Sequence, residues 1–431
     1  MSDYVSVMGA SGTAVNVSIP GNLAANLLAS SVATSLAQAG IAAYTPTTAG
    51  SLAVGSSGVI AVSVNSPASI TGGFNGSTVF AGTGGTTFQA GAGGGAFFAG
   101  GSSNVFYGSA DTGAWTIATG DGNDTILAGA GNSTIYGGGG ANLIGLGKGS
   151  DTVFATGSGD TINGSTGSAT IANSGTGAQI FGGTGTTSLF DVGSNTTFVG
   201  ASGASTQVQA GANGVYWLSG PSTVFGGLGN DTISAVNANV TVYAGAGSQS
   251  VLETGASKVT FIGGAGIGQI DAGSSGTAAI FGSNGSNISF KGTASGTAIV
   301  AGAGSETISA ASASAGVTFY TGSGSASLVG GAGSDAFVAG KGTSTLTGGA
   351  GSNTFIFQSG VTGSGAAVSI TDFGSAAGNL VVLKGYGANE VATALATQTH
   401  SNGSTTITLA DSTKITFVGV SSLSSSNFSG Q

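Results

Sequence analysis

Cysteine and arginine are both missing from this chain, and histidine occurs once, at position 400. Without cysteine there is no disulfide, no thiolate zinc site and no thiol nucleophile. Six lysines stand against fifteen acidic residues, for a net charge of −9. That balance leaves no basic surface to neutralise phosphates, so nucleic-acid binding is excluded from the reading. An anionic membrane surface is a poor partner for the same reason. Charged residues of both signs make up only 5% of the chain, against roughly 25% in ordinary soluble domains. No run of apolar residues is long enough for a membrane span. No basic segment precedes an apolar core in the first residues, so no N-terminal secretory signal is read there.

These scarcities also remove most enzyme chemistry. One histidine, close to the C-terminal end, cannot supply a Ser-His-Asp triad or an H-E-x-x-H zinc site upstream. No G-x-S-x-G nucleophile elbow occurs. The three glutamates, Glu253, Glu306 and Glu390, are far apart, which leaves a glycosidase carboxylate pair little to draw on. The expectation is that the protein is not an enzyme.

What the chain has in abundance is glycine, 86 residues of it, set to a beat. Ile126, Ile135, Ile144, Val153, Ile162, Ile171, Ile180, Leu189 and Phe198 follow one another at intervals of nine. Neither a helix nor a simple strand alternation has that period, and a fixed period marks a repeat architecture. The beat resolves into two interleaved ladders of period 18: Ile126, Ile144, Ile162, Ile180 and Phe198, and Ile135, Val153, Ile171 and Leu189. This predicts an all-β fold, a parallel β-roll or β-solenoid with two short strands per coil of about 18 residues, the two ladders meeting in a thin core. Glycine allows the tight turns of positive φ between strands. About sixteen coils are expected, each rising ~4.8 Å.

Three regions differ in texture. Residues 1–71 form a small N-terminal cap or assembly segment with one helix. Its first turn is expected at Pro20, its apolar stripe at Leu23, Leu27, Leu28, Val32 and Leu36, and its end at Gly40 and Pro46. Residues 72–357 carry the solenoid, with bulges or wider loops expected near Gln207 and in the stretch around residues 305–320. Residues 358–431 lose the beat and alternate, which predicts an antiparallel β cap.

Several turns carry a recognisable nonapeptide. GGLGNDTIS at 226–234 and GGAGSDAFV at 330–338 are full copies of G-G-x-G-x-D-x-U-x; TGDGNDTIL at 119–127 and LGKGSDTVF at 146–154 lack only the first glycine. The chain resembles the RTX (repeats-in-toxin) family of parallel β-rolls. GGAGSNTFIF at 348–357 and the strand-like stretches after it resemble that family's last repeat and C-terminal capping segment, which also holds its secretion signal.

The resemblance implies calcium, held between turns one coil apart by the motif's Asp and by turn carbonyls, an all-oxygen set suited to a hard cation. Asp124, Asn142 and Asp160 share one edge at intervals of 18. On the other edge Asp151 has Ser133 before it and Ala169 after it; Asp231 is followed by Gln249, and Asp335 by Asn353. Elsewhere the Asp position is filled by Ser, Gln or Glu306, so most turns should be free of calcium and two to four sites are expected, centred on Asp124 to Asp160. The competing account is that these Asp side chains only cap turns.

Outward positions are rich in Thr, as at Thr134, Thr152 and Thr170. A coil surface so poor in charge invites self-association. The expected function is a secreted structural protein building a surface layer, filament or matrix from copies of itself, exported to the cell surface by type I secretion as the resemblance implies. The alternative is a monomeric adhesin, or a solenoid that binds ice or a cell-surface polysaccharide.

Overall fold

Nine-residue spacing appears in the fold as strands laid one on another. We describe a computed structural model of the chain, which covers residues 4–18, 23–48, 50–54, 58–63, 66–72, 76–108, 112–363, 365–376 and 378–429. Two units are distinguished, Met1–Tyr216 and Trp217–Gln431. Each winds as a parallel solenoid with two strands per coil, so that each unit has two ladders; the chain makes about sixteen coils in all.

In unit 1 the first ladder pairs Ile126 with Ile144, Ile144 with Ile162, Ile162 with Ile180 and Ile180 with Phe198. The second pairs Ile135 with Val153, Val153 with Ile171 and Ile171 with Leu189. All of these side chains are buried, and each contributes about 1.5–3 kcal/mol through burial. In earlier coils the core is aromatic: Phe88, Phe97, Phe106 and Trp115 pack with ring centroids 5.2–5.8 Å apart. Trp115 pairs in register with Gly95, where a Cβ would strike the Ser77 carbonyl oxygen one coil earlier.

Glycine is required where coils touch at the turns. Gly138 and Gly140 have φ of 73° and 82°, and a Cβ at either would strike carbonyl oxygens one coil below, those of Gly120 and Gly122. The insertion expected near Gln207 places Val208 nineteen residues after its partner Leu189. That in the region around 305–320 appears as a turn in which Ala313 donates to the Ala310 carbonyl, ahead of the pair Ile299 and Phe319.

The N-terminal segment is a hairpin, β1 (Tyr4–Met8) antiparallel to β2 (Ala14–Ser18), followed by α1 (Leu23–Gln38). The hairpin was not foreseen. Pro20, expected in the first helical turn, and the Leu23 side chain lie outside the described residues. Leu27 does not belong to the buried stripe: it is exposed, while Leu28, Val32 and Leu36 flank buried Ala29 and Ala33. The helix stops before Gly40, whose φ is 71°.

Parallel pairing begins at Gly50–Ala53, ahead of residue 72, and in unit 2 continues past residue 357. Ala367–Ile370 and Leu380–Lys384, expected to be antiparallel, run parallel to the preceding coil. Alternation is the same in either kind of strand when only one face is buried, so it could not tell them apart. The antiparallel cap is made by Thr399–Ser401, Ser404–Thr408 and Lys414–Phe417. A second helix, α2 (Glu390–Ala396), leads into it.

Candidate metal centres

The motif's Asp stands two residues before the core residue of its strand, at the point where the chain leaves the turn. In unit 1 this register position is filled by Asn104, Asp124, Asn142 and Asp160, and all four side chains are buried. They form a staircase. Each Oδ1 accepts the backbone N–H of the residue one coil earlier: Asn104 from Thr86 (3.0 Å), Asp124 from Asn104 (2.6 Å), Asn142 from Asp124 (2.9 Å) and Asp160 from Asn142 (2.9 Å). The amide of Asn104 also donates to Asp124 Oδ1, and that of Asn142 to Asp160 Oδ1. Asn between two Asp keeps carboxylates from meeting on successive coils.

One oxygen of each carboxylate is left over. Asp124 Oδ2 and Asp160 Oδ2 are buried and have no hydrogen-bond partner. Burial raises the pKa of Asp124 to about 6, against the bonds from Asn104 that lower it, with Asp121 nearby raising it further. Asp160 is raised from the ordinary carboxylate range for the same first reason, burial, opposed by bonds from Asn142 and Gly157. Turn carbonyls lie close by: a Cβ on Gly157 would meet the Gly140 carbonyl oxygen and stand 2.7 Å from Asp160 Oδ1. Carboxylate oxygens without a partner are hard oxygen donors, a chemistry that fits Ca²⁺.

The remaining candidates are arranged differently. Asp151 uses both oxygens, accepting from Ser133 N–H (2.8 Å) and Gly147 N–H (3.1 Å), and it faces Ala169 on the next coil. Asp335 likewise accepts from Val317 N–H (2.7 Å) and Gly331 N–H (2.8 Å). Its own N–H donates to Asn353 Oδ1, and Asn353 N–H to Asn379 Oδ1, so unit 2 has a second staircase. Asp231 is buried opposite Gln249, whose amide oxygen and nitrogen both lack a partner. Burial above all raises the pKa values of both Asp151 and Asp335.

Asn104 and Asn379 were missed as members of these staircases because their coils are longer than 18 residues. The legible signal was local: an Asn or Asp two residues before a core side chain, as in Asn104-Val105-Phe106 and Asn379-Leu380-Val381. Two further buried acids stand out. Glu306 occupies an Asp position; its Oε1 accepts from Gly304 N–H and its Oε2 has no partner. Glu253 has no partner for either oxygen, and its pKa is pushed up to about 8, first by burial and then by Asp271. Among the described residues no group of three or more His, Cys, Asp or Glu side chains could hold a metal ion, so a cation here must draw on carbonyls and amides as well.

The sequence matches the RTX calcium-binding nonapeptide repeat in four copies, across residues 119–153, 222–248 and 320–360. Asp124, Asn142 and Asp151 fall in the first stretch, Asp231 in the second, Asp335 and Asn353 in the third; Asp160 lies just beyond the first. No curated protein matches the sequence. The nonapeptide is a calcium-binding motif, and the chain that carries it here, wound in parallel with two strands per coil, fits an RTX β-roll protein.

Proposed function

We propose that this is a secreted, non-enzymatic structural protein that assembles from copies of itself at a cell surface or in an extracellular matrix, with calcium bound at a few of its turns. RTX repeat proteins are typically exported by type I secretion and are generally structural, which supports the compartment and the absence of catalysis. The observation that carries the reading is the coil surface. Its outward positions are rich in Thr, Ser, Ala and large apolar side chains, in a chain with 5% charge, and such a surface favours contact with another like it over dispersion in water.

Calcium is assigned first to Asp124 and Asp160, with Asn142 between them, because each carboxylate keeps a buried oxygen free. Asp151, Asp335 and Asp231 are secondary sites. Thr134, Thr152 and Thr170, stacked in register, favour the rival reading of an adhesin or of a polysaccharide- or ice-binding solenoid. Electron microscopy of the purified chain with millimolar calcium and with chelator separates the two. Ordered filaments or sheets support assembly; monodisperse particles that bind sugar or ice overturn it.

A further inference from the structure

In unit 2 the ladder that starts at Ser222–Phe225 turns two side chains per coil outward. One column is large and apolar, running in register from Phe225 through Tyr243, Ile262, Phe281 and Tyr320 to Ile356. Beside it runs a column from Thr223 to Thr354 made only of Thr and Ala. Neither column contains a charge. Phe225, Tyr243, Phe281 and Tyr320 are 37%, 43%, 40% and 43% exposed. The opposite wall of the same unit is more polar: Thr232, Ser250, Gln269 and Ser289 stack outward, and the neighbouring column, which also holds exposed Leu252, carries the ion pair of Asp271 and Lys291. Two walls of equal strand geometry differ in this way only through their sequence.

Unit 1 shows how this fold dries such a column. Ala61, Phe80, Phe98 and Ala118 occupy the same outward register, ahead of Tyr136. Those four are fully buried, because β1, β2 and α1 lay Val5, Val7, Val17, Ala29 and Ala33 over them. The column continues in register to Phe154, Ala172 and Phe190, where that cover ends and Phe154 and Phe190 become 36% and 45% exposed. Small side chains laid over aromatic rings are thus the cover this protein already uses.

We infer that the apolar wall of unit 2 is an interface between two copies of this chain, packed face to face. The Thr and Ala column is a groove beside a ridge of rings. A twofold axis lying between the two walls, parallel to the stack of coils, sets the ridge of one copy into the groove of the other, with small side chains again over rings. Both faces have the same coil rise, so the match holds along the whole stripe, roughly 35 Å at ~4.8 Å per coil. A stripe this narrow makes a concentration-dependent contact. The inference rests on the assembly reading and names its surface.

The test is sedimentation velocity on the full chain, in calcium, across a concentration series. Phe281→Lys and Tyr320→Lys place a charge on exposed positions, so the fold should persist, as circular dichroism would verify; each should weaken association at least about tenfold. Gln269→Lys, on the polar wall, should leave it unchanged. In this cysteine-free chain, Thr318→Cys should lose reactivity toward a bulky maleimide as wild-type contacts form, and Thr307→Cys should not. If wild type stays monomeric throughout, both the assembly reading and this interface fail. Should wild type assemble while the Lys variants assemble equally well, only the interface fails. A monomer retained on insoluble polysaccharide, with retention lost in Phe281→Lys, overturns the inference by making the wall a glycan surface.

Discussion

Asn142 gives Asp160 both its hydrogen bonds from the preceding coil: its backbone N–H and its side-chain amide each lie 2.9 Å from Asp160 Oδ1. The amide can donate where a carboxylate could only repel, so Asn142 spaces the charges of Asp124 and Asp160. Asn142→Asp should therefore make the chain depend on calcium. In chelator a third buried carboxylate should lower stability by about 2–3 kcal/mol, since a buried unpaired charge is costly; calcium should recover it. Calorimetry with and without calcium would measure this, and equal loss in both conditions would remove Asp124 to Asp160 as a metal edge.

Acid should act on the same edge in two opposite ways. The pKa of Asp124 is about 6 in the folded chain, against 3.8 for an ordinary Asp. Without calcium the folded state holds this proton more tightly than the unfolded state. Its contribution is thus fully present below pH 3.8 and is lost as pH rises through 6, a change of about 3 kcal/mol. Calcium needs the ionised form, so its affinity should fall by about tenfold per pH unit below pH 6. Melting scans from pH 4 to 8, repeated with calcium, should show apo stability falling as pH rises and calcium restoring it at neutral pH.

The winding itself predicts a contrast between neighbours. Ile144 is fully buried between Ile126 and Ile162, while Leu143 beside it points outward and is 42% exposed. Ile144→Ala should cost about 2–5 kcal/mol by leaving a cavity in the thin core, and Leu143→Ala less than about 0.5 kcal/mol. Urea titration of both variants measures the difference; equal losses would contradict the ladder.

Residues such as Ile126 and Ile144 were legible because an invariant coil of 18 residues makes sequence spacing equal to spatial stacking. Where a coil lengthens, as between Asn104 and Asp124, that equality fails, and the staircase is visible only through its hydrogen bonds. The direction of Ala367–Ile370 was hidden for another reason: one buried face gives period two in parallel and antiparallel strands alike. The metal edge was half legible. Spacing brought Asp124, Asn142 and Asp160 together, yet nothing in it separates a carboxylate with a spare oxygen from one, such as Asp335, that spends both on turn N–H groups.

Glu253 has no such explanation in the motif. It stands in register with Ala235, buried, with neither oxygen hydrogen-bonded and Asp271 close by. Burial raises its pKa to about 8, from 4.5, so it carries a proton at neutral pH. Its stabilising contribution is present below pH 4.5 and disappears as pH climbs through 8. Glu253→Gln keeps the shape and removes the titration. At pH 4 the variant should match wild type; at pH 9 it should be the more stable, by roughly 2–5 kcal/mol. Denaturant titrations at the two pH values decide the matter. A variant that is less stable than wild type at pH 9 would mean that the ionised carboxylate has a partner, and a cation would then be the first to seek.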